Sequence, residues 1–300
     1  MPLPPLTAER WLTSWTLDLP AVLAVVTASA GYLVARTRVR RWPPARTAAF
    51  LLGMAAVLVV KSSFLAVYDH TLFWTLAVQD VLLLALVPLA VVLGRPILLV
   101  RLAAGRPGRG HLTLSPLLGS LVAMTTLLAL YLSGWDQARL EHRALFALTH
   151  LAVLVAGCAF LGPLLTEGRT SYGVRTLVAF VDGLLDAVPG LAVLGTHSLI
   201  AGPWYTAHPR AWGPEPAKDQ QIGGTAMIAL SELVGLPALL VLLVRWVRAD
   251  AAEAAAVDAE LDRAAESAPD ATQDGLLRPW WEEDAGPLAR RAADQRWDAP

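Results

Sequence analysis

Apolar residues in this chain run on in long blocks. They neither alternate at strand spacing nor confine themselves to one helical face. Seven blocks, 17–35, 47–66, 72–93, 114–132, 144–165, 174–195 and 222–244, are divided by short polar segments. A helix rises about 1.5 Å per residue, so about twenty mainly apolar residues cross a hydrocarbon core of about 30 Å. Glycine and proline mark the divisions: Arg41-Trp42-Pro43-Pro44, Gly94-Arg95-Pro96, residues 105–110, Gly168, Gly202-Pro203 and Gly213-Pro214. The only other membrane-spanning solution, a closed β-barrel, requires a two-residue alternation that these blocks lack. The pattern therefore predicts an all-α polytopic membrane helix bundle with about seven transmembrane helices. The first block has no basic segment ahead of it and is read as a retained span rather than a cleaved signal.

Composition agrees with the pattern: 55% of residues are hydrophobic, 16% charged, and the mean hydropathy is +0.51. A formal charge of −1 and the absence of a basic surface exclude nucleic acid as a partner. Orientation follows from arginine, which is retained on the cytoplasmic side. Arg36, Arg38, Arg40, Arg41 and Arg46 fill the first loop, and Arg95, Arg101, Arg106 and Arg109 the third. Arg169, Arg175, Arg245 and Arg248 continue that side, and the intervening loops are poorer. The N-terminus is expected outside and the C-terminus in the cytoplasm of a bacterial plasma membrane. Three parts result: an extracytoplasmic segment over 1–16, a transmembrane domain over 17–248, and a cytoplasmic tail over 249–300. The tail should continue as helix through 251–266 and then become flexible, with a Trp280-Trp281-Glu282-Glu283-Asp284 patch.

An ionisable group in mid-bilayer costs about 2.5–3.5 kcal/mol on insertion scales, so those that stay there have partners or tasks. Span three holds Gln79-Asp80, span five Thr149-His150, span six Asp182 and Asp186, and span seven Glu232. These groups either share an outward-facing pocket, with His150 and Asp80 or Asp186 holding a metal or relaying protons, or they join helices by hydrogen bonds. Lys61, near a span end, is expected to snorkel to the outer interface. His70, His142, His197 and His208 fall in or beside the outer loops and only His111 inside. That distribution suits an outward-facing transition-metal site. Cys158 stands alone in an apolar run, and the four methionines are dispersed, so neither a Cys pair nor a methionine relay exists. No nucleophile elbow, His-Glu-x-x-His, phosphate-binding glycine loop or haem-attachment motif is present, and the chain does not read as an enzyme.

The block Asp219-Gln220-Gln221-Ile222-Gly223-Gly224, then Ser231-Glu232, Pro237 and Arg245-Trp246-Val247-Arg248-Ala249-Asp250, resembles the last helix of CtaG-type cytochrome c oxidase assembly factors. Arg41-Trp42-Pro43-Pro44, Gln79 with Pro88 and Leu93-Gly94-Arg95-Pro96, His150 with Gly157, and Ser171-Tyr172-Gly173 agree with it, over roughly residues 30 to 265. The resemblance implies a membrane factor that helps copper reach the catalytic subunit of haem-copper oxidases. Oxidase subunits and copper chaperones would be its partners, besides the lipid bilayer. Where the family pattern has His-x-x-Gln-His in span three and His-Ala-Phe in span six, this chain has Leu76-Ala77-Val78-Gln79-Asp80 and Asp186-Ala187-Val188. Copper, if held, would then lie among His150, Asp80, Asp186 and Glu232. Two other readings stand beside it: a metal-free accessory or scaffold subunit of a respiratory complex, and a transporter. The second lacks the internal repeat many carriers show.

Overall fold

A computed structural model of the chain describes residues 3–106, 115–165 and 171–267, with side chains described as far as residue 263. Gly110, Arg109, His111, the start of the fourth predicted span, Gly168, Arg169 and the Trp280-Trp281 tail lie outside the described residues. Every regular element described is helical. In order these are α1 (Ala8–Thr13), α2 (Leu19–Thr37), α3 (Pro44–Ser62), α4 (Phe64–Tyr68), α5 (Phe73–Val81), α6 (Val87–Leu93), α7 (Pro96–Ala103), α8 (Pro116–Leu132), α9 (Trp135–Glu141), α10 (Arg143–Leu165), α11 (Tyr172–Leu185), α12 (Ala187–Gly195), α13 (Gly202–Ala207) and α14 (Pro216–Ser267). The chain divides into two compact units, Met1–Trp246 and Val247–Pro300. In the first, the helices form a bundle. In the second, the described residues are the helical end of α14, with exposed Val257 and Leu261.

Local chemistry starts the helices where the loops end. Asp18 caps α2 by accepting from Ala21 N at 3.0 Å, and Ser115 caps α8 by accepting from Leu118 N at 3.1 Å. Prolines occupy the first turn of α2, α3, α7 and α8, where the missing N–H would have had no helical partner.

Among the described residues, six helical stretches are long and apolar enough to cross a membrane: Leu19–Thr37, Pro44–Tyr68, Phe73–Ala103, Arg143–Leu165, Tyr172–Gly195 and Pro216–Arg263. Helices α8 and α9 pass the same test only together and turn by 74° after Leu132, so they form a seventh candidate span broken at that point. Gly134 makes that turn with φ +74, a left-handed conformation open to glycine. Span six is also divided, at Asp186, between α11 and α12.

Between α5 and α6 the helix widens into a π-helical turn, Leu82–Leu86. Pro88 has no N–H to offer the Leu84 carbonyl, and α10 closes on that spot through Gly157. A Cβ there would lie 2.0 Å from Leu84 O and 2.6 Å from Pro88 Cγ. Small residues let membrane helices approach in this way. Gly190 of α12 and Gly224 of α14 do the same for each other's backbones, at 2.7 and 3.0 Å.

The loops sort to two ends. At the arginine-poor end the N-terminal segment, the α4–α5 corner, α9 and α13 interlock. Tyr68 donates to Pro4 O at 3.0 Å, Trp212 Nε1 to Leu3 O at 2.8 Å, and Trp204 Nε1 to His70 O at 2.9 Å. At the other end Trp42 Nε1 donates to Tyr32 Oη at 3.0 Å, and Tyr32 Oη donates to Gly94 O at 2.8 Å.

Replacing Gly157 by alanine should lower the thermal unfolding temperature in detergent by the equivalent of about 1–3 kcal/mol, the usual penalty for overpacking. Gly183→Ala, where a Cβ meets nothing within 4 Å, is the control and should leave the temperature unchanged.

Candidate functional site

Asp80 sits on the last turn of α5, just before the π-helical widening, and is fully buried. A carboxylate there demands compensation, and the bend after Leu132 supplies it. The bend turns α9 so that Arg139 points into the bundle, also fully buried. Its guanidinium meets Asp80 with both arms, Nη1 to Oδ1 at 3.0 Å and Nη2 to Oδ2 at 2.7 Å. The remaining Nε donates to Asp136 Oδ1 at 2.7 Å, one turn back on α9. Tyr131, at the end of α8, donates to Asp80 Oδ2 at 2.5 Å. This planar fork is the geometry for which arginine surpasses lysine.

His150 of α10 approaches from the other side, with Nε2 3.5 Å from Asp80 Oδ1. Lys61 Nζ lies 2.9 Å from His150 Nδ1 and 3.3 Å from Asp18 Oδ2. An ammonium has no lone pair, so Nδ1 must accept and the ring proton of neutral His150 resides on Nε2, facing Asp80. Lys61 thus does not snorkel to the interface as expected. Its side chain is only 11% exposed and turns inward, because His150 and Asp18 offer it acceptors. Phe146 packs beneath both cations, 5.1 Å from Lys61 Nζ and 6.0 Å from Arg139 Cζ. The result is a continuous line from half-buried Asp18 and Lys61 to buried His150, Asp80, Arg139 and Asp136, joining the start of α2 to α3, α10, α5 and α9.

Of the four residues proposed to hold a metal, His150 and Asp80 meet in this line, whereas Asp186 and Glu232 belong to a second group. There Ser120 donates a short hydrogen bond to Asp182, and Asp186 follows one helical turn later in the same span. Glu232 of α14 lies within electrostatic reach of Asp186. Gly235 faces the same carboxylate, since a Cβ there would be 3.2 Å from Asp186 Oδ2. Asp182 and Asp186 open on a small, partly enclosed cleft of about 50 Å³, lined otherwise mainly by apolar residues, Met124 among them. No three His, Cys, Asp or Glu side chains converge as a ligand set among the described residues.

Copper does not fit the first group. The Asp80 oxygens are engaged by Arg139 and Tyr131, His150 presents one nitrogen to an ammonium and a proton on the other, and two fixed cations flank the imidazole. Imidazole and thiolate are the donors copper favours. This cluster offers a single imidazole, already engaged.

A second carboxylate, Asp219, governs the arginine-poor end. Its oxygens accept from Phe73 N at 3.0 Å and Trp74 N at 3.1 Å, satisfying the open N-terminus of α5 from a distant helix. Arg210 pairs with it at 2.9 Å and also donates to Thr71 O at 3.0 Å. Neighbouring Gln220 accepts from Ile200 N at 2.8 Å. Tyr205 of α13 is buried close to this end. Burial, and next the Asp136 and Asp219 carboxylates, hold its phenol well above the ordinary value, so it stays a neutral hydroxyl. Arg139, Asp136 and Tyr131 were missed in the sequence reading. Arg139 and Asp136 look like ordinary loop charges, and their only signal is the i, i+3 spacing that lets them pair.

Residues 30–249 match the family model described as cytochrome c oxidase caa3 assembly factor. The chain is 25% identical over 290 residues to uncharacterized proteins of Mycobacterium bovis and Mycobacterium tuberculosis, covering 87% of this chain and 43% of theirs. It is 23% identical over 276 residues to one of Mycobacterium leprae, covering 83% and 42%. It thus spans less than half the length of these relatives. No solved structure matches.

Removing either partner of the central ion pair leaves a buried charge alone. Arg139→Ala and Asp80→Ala should each cost about 3–5 kcal/mol of stability in detergent. The double variant Asp80→Ala, Arg139→Ala should cost less than the sum of the two. A double-mutant cycle checks this; single losses below about 1 kcal/mol would mean that the pair does not hold α9 to α5.

Proposed function

Because the chain belongs to the cytochrome c oxidase caa3 assembly factor family, we propose that it is a non-enzymatic assembly factor that receives haem-copper oxidase subunits while their copper centre matures. It works in the plasma membrane, where its helices place it. The observation that carries this reading is the family match, which extends over residues 30–249 and so includes both polar groups.

The geometry favours a scaffold over an ion carrier. A carrier must leave donors free to exchange an ion, whereas Arg139, Tyr131 and Lys61 engage Asp80 and His150. Together with neighbouring contacts they give a fixed end to the bundle: Arg139 ties α9 to α5, Gln137 and His70 hold Trp204 of α13, and Trp212 holds the N-terminal segment. Such a preorganised end suits the holding of a partner subunit, because little ordering remains to be done on binding. Copper would then reach the oxidase subunit from a chaperone while this chain holds the subunit.

The test is a deletion strain complemented with variants, read by haem and copper-centre difference spectra of its membranes. Deletion should lower the oxidase signal and the wild-type chain restore it; unchanged spectra on deletion would remove the assembly role. His150→Gln, which eliminates the imidazole and leaves Lys61 a polar neighbour, should restore the signal at equal protein level. Failure of that variant alone would favour the carrier reading.

A further inference from the structure

The arginine-rich end of the bundle contains more order than insertion alone requires. Arg36, Arg38, Arg40, Arg41, Arg101 and Arg106 are all exposed. No carboxylate occurs between Asp18 and Asp69 or between Asp80 and Asp136, so the two segments that present these arginines contain no counter-charge of their own. The turn that carries four of them is nonetheless pinned. Arg38 N donates to Ala35 O at 3.2 Å and Val39 N to Arg36 O at 3.1 Å. Trp42 is buried, with its indole hydrogen-bonded to Tyr32, whose ring stacks on Phe50 at 4.1 Å. Arg46 lies over the Trp42 ring at 5.0 Å. Tyr32 also reaches Gly94 O, which ties this corner to the start of α7.

Apolar surface adjoins the charge on the same two helices. Leu33 and Val34 lie on α2 just before Arg36, and Ile97 and Val100 on α7 just before Arg101, all exposed. We propose that the α2–α3 turn with α7 is a binding site for anionic phospholipid headgroups. The arginines take the phosphodiester and the neighbouring apolar residues take the first part of the acyl chains. A free phosphate would use the charge and leave the apolar surface unused. Guanidinium forks bind phosphate oxygens in pairs, and basic clusters at the cytoplasmic interface attract anionic lipid.

Orientation in the membrane depends on positive charge of either kind, whereas paired recognition of a phosphodiester depends on arginine. Two variants of the full chain separate these. Arg36, Arg38, Arg40 and Arg41 are replaced together by lysine in one and by glutamine in the other. Protein is released from mixed micelles of phosphatidylglycerol and phosphatidylcholine, and retained lipid is counted by native mass spectrometry. The wild type should retain phosphatidylglycerol in clear preference, the lysine variant with a preference reduced several-fold and the same orientation, and the glutamine variant with a preference reduced at least about tenfold. Equal retention of the two lipids by the wild type, or a lysine variant equal to wild type, would overturn the proposal. So would thermal stabilisation by inorganic phosphate as large as that by phosphatidylglycerol.

Discussion

The contact between Arg139 and Asp80 sets the conditions for everything at its end of the bundle. Two fully buried charges have been taken out of water, and their mutual attraction offsets that loss only when every remaining donor and acceptor is nearly satisfied. The surrounding residues meet most of that demand: Tyr131 on one Asp80 oxygen, His150 near the other, Asp136 on the guanidinium Nε, and Lys61 behind the imidazole, while Asp136 Oδ2 has no hydrogen-bond partner. Because Arg139 must reach α5, α9 has to fold back from α8, and the left-handed Gly134 is where it does so. Once folded back, α9 presents Gln137 to Trp204 N at 3.1 Å, which fixes α13. A single electrostatic constraint therefore propagates into the arrangement of the loops.

The spans were legible because the cost of leaving apolar or polar surface in lipid is local and adds along the chain. Asp80 and His150 were legible for the same reason, as groups too costly to remain in a membrane without cause. Which of them would meet was not. Helix α10 is apolar almost all round, so its sequence does not announce which face carries partners, and the rotation that turns His150 toward Asp80 comes only from packing. Asp186 and Glu232 face a different gap between helices, and hydropathy is blind to that separation. Lys61 misled for a related reason: snorkelling is the outcome for a lysine with no acceptor nearby, and here two acceptors arrive from α2 and α10.

The block of residues that carries the family likeness acquires a physical meaning in the structure. Asp219 satisfies the first amides of α5, the helix that holds Asp80, and Gln220 ties down the loop after α12. An Asp-Gln pair at the start of a membrane helix reads as a local cap in sequence. In three dimensions it caps another helix, 146 residues away in the chain. The motif is thus part of the same end of the bundle as the Arg139 clamp, although nothing in its spacing announces that partnership.

The second polar group is built on the opposite principle. Around Asp80 the charges are met by fixed cations, whereas Asp182 is met by the Ser120 hydroxyl, with Asp186 one turn away. The helix break at Asp186 belongs with this arrangement: its amide still donates to Asp182 O at 2.7 Å, so the turn is retained while the axis is reset toward α14. Acidic groups in this membrane protein therefore occupy two settings, one ion-paired near one end of the bundle and one beside a hydroxyl. The paired group is the one the loops are built upon, and its Asp80 carboxylate is engaged by Arg139 and Tyr131 while Lys61 occupies one nitrogen of His150. For that reason a role in holding a subunit follows more directly from the chain's own chemistry than a role in carrying its metal.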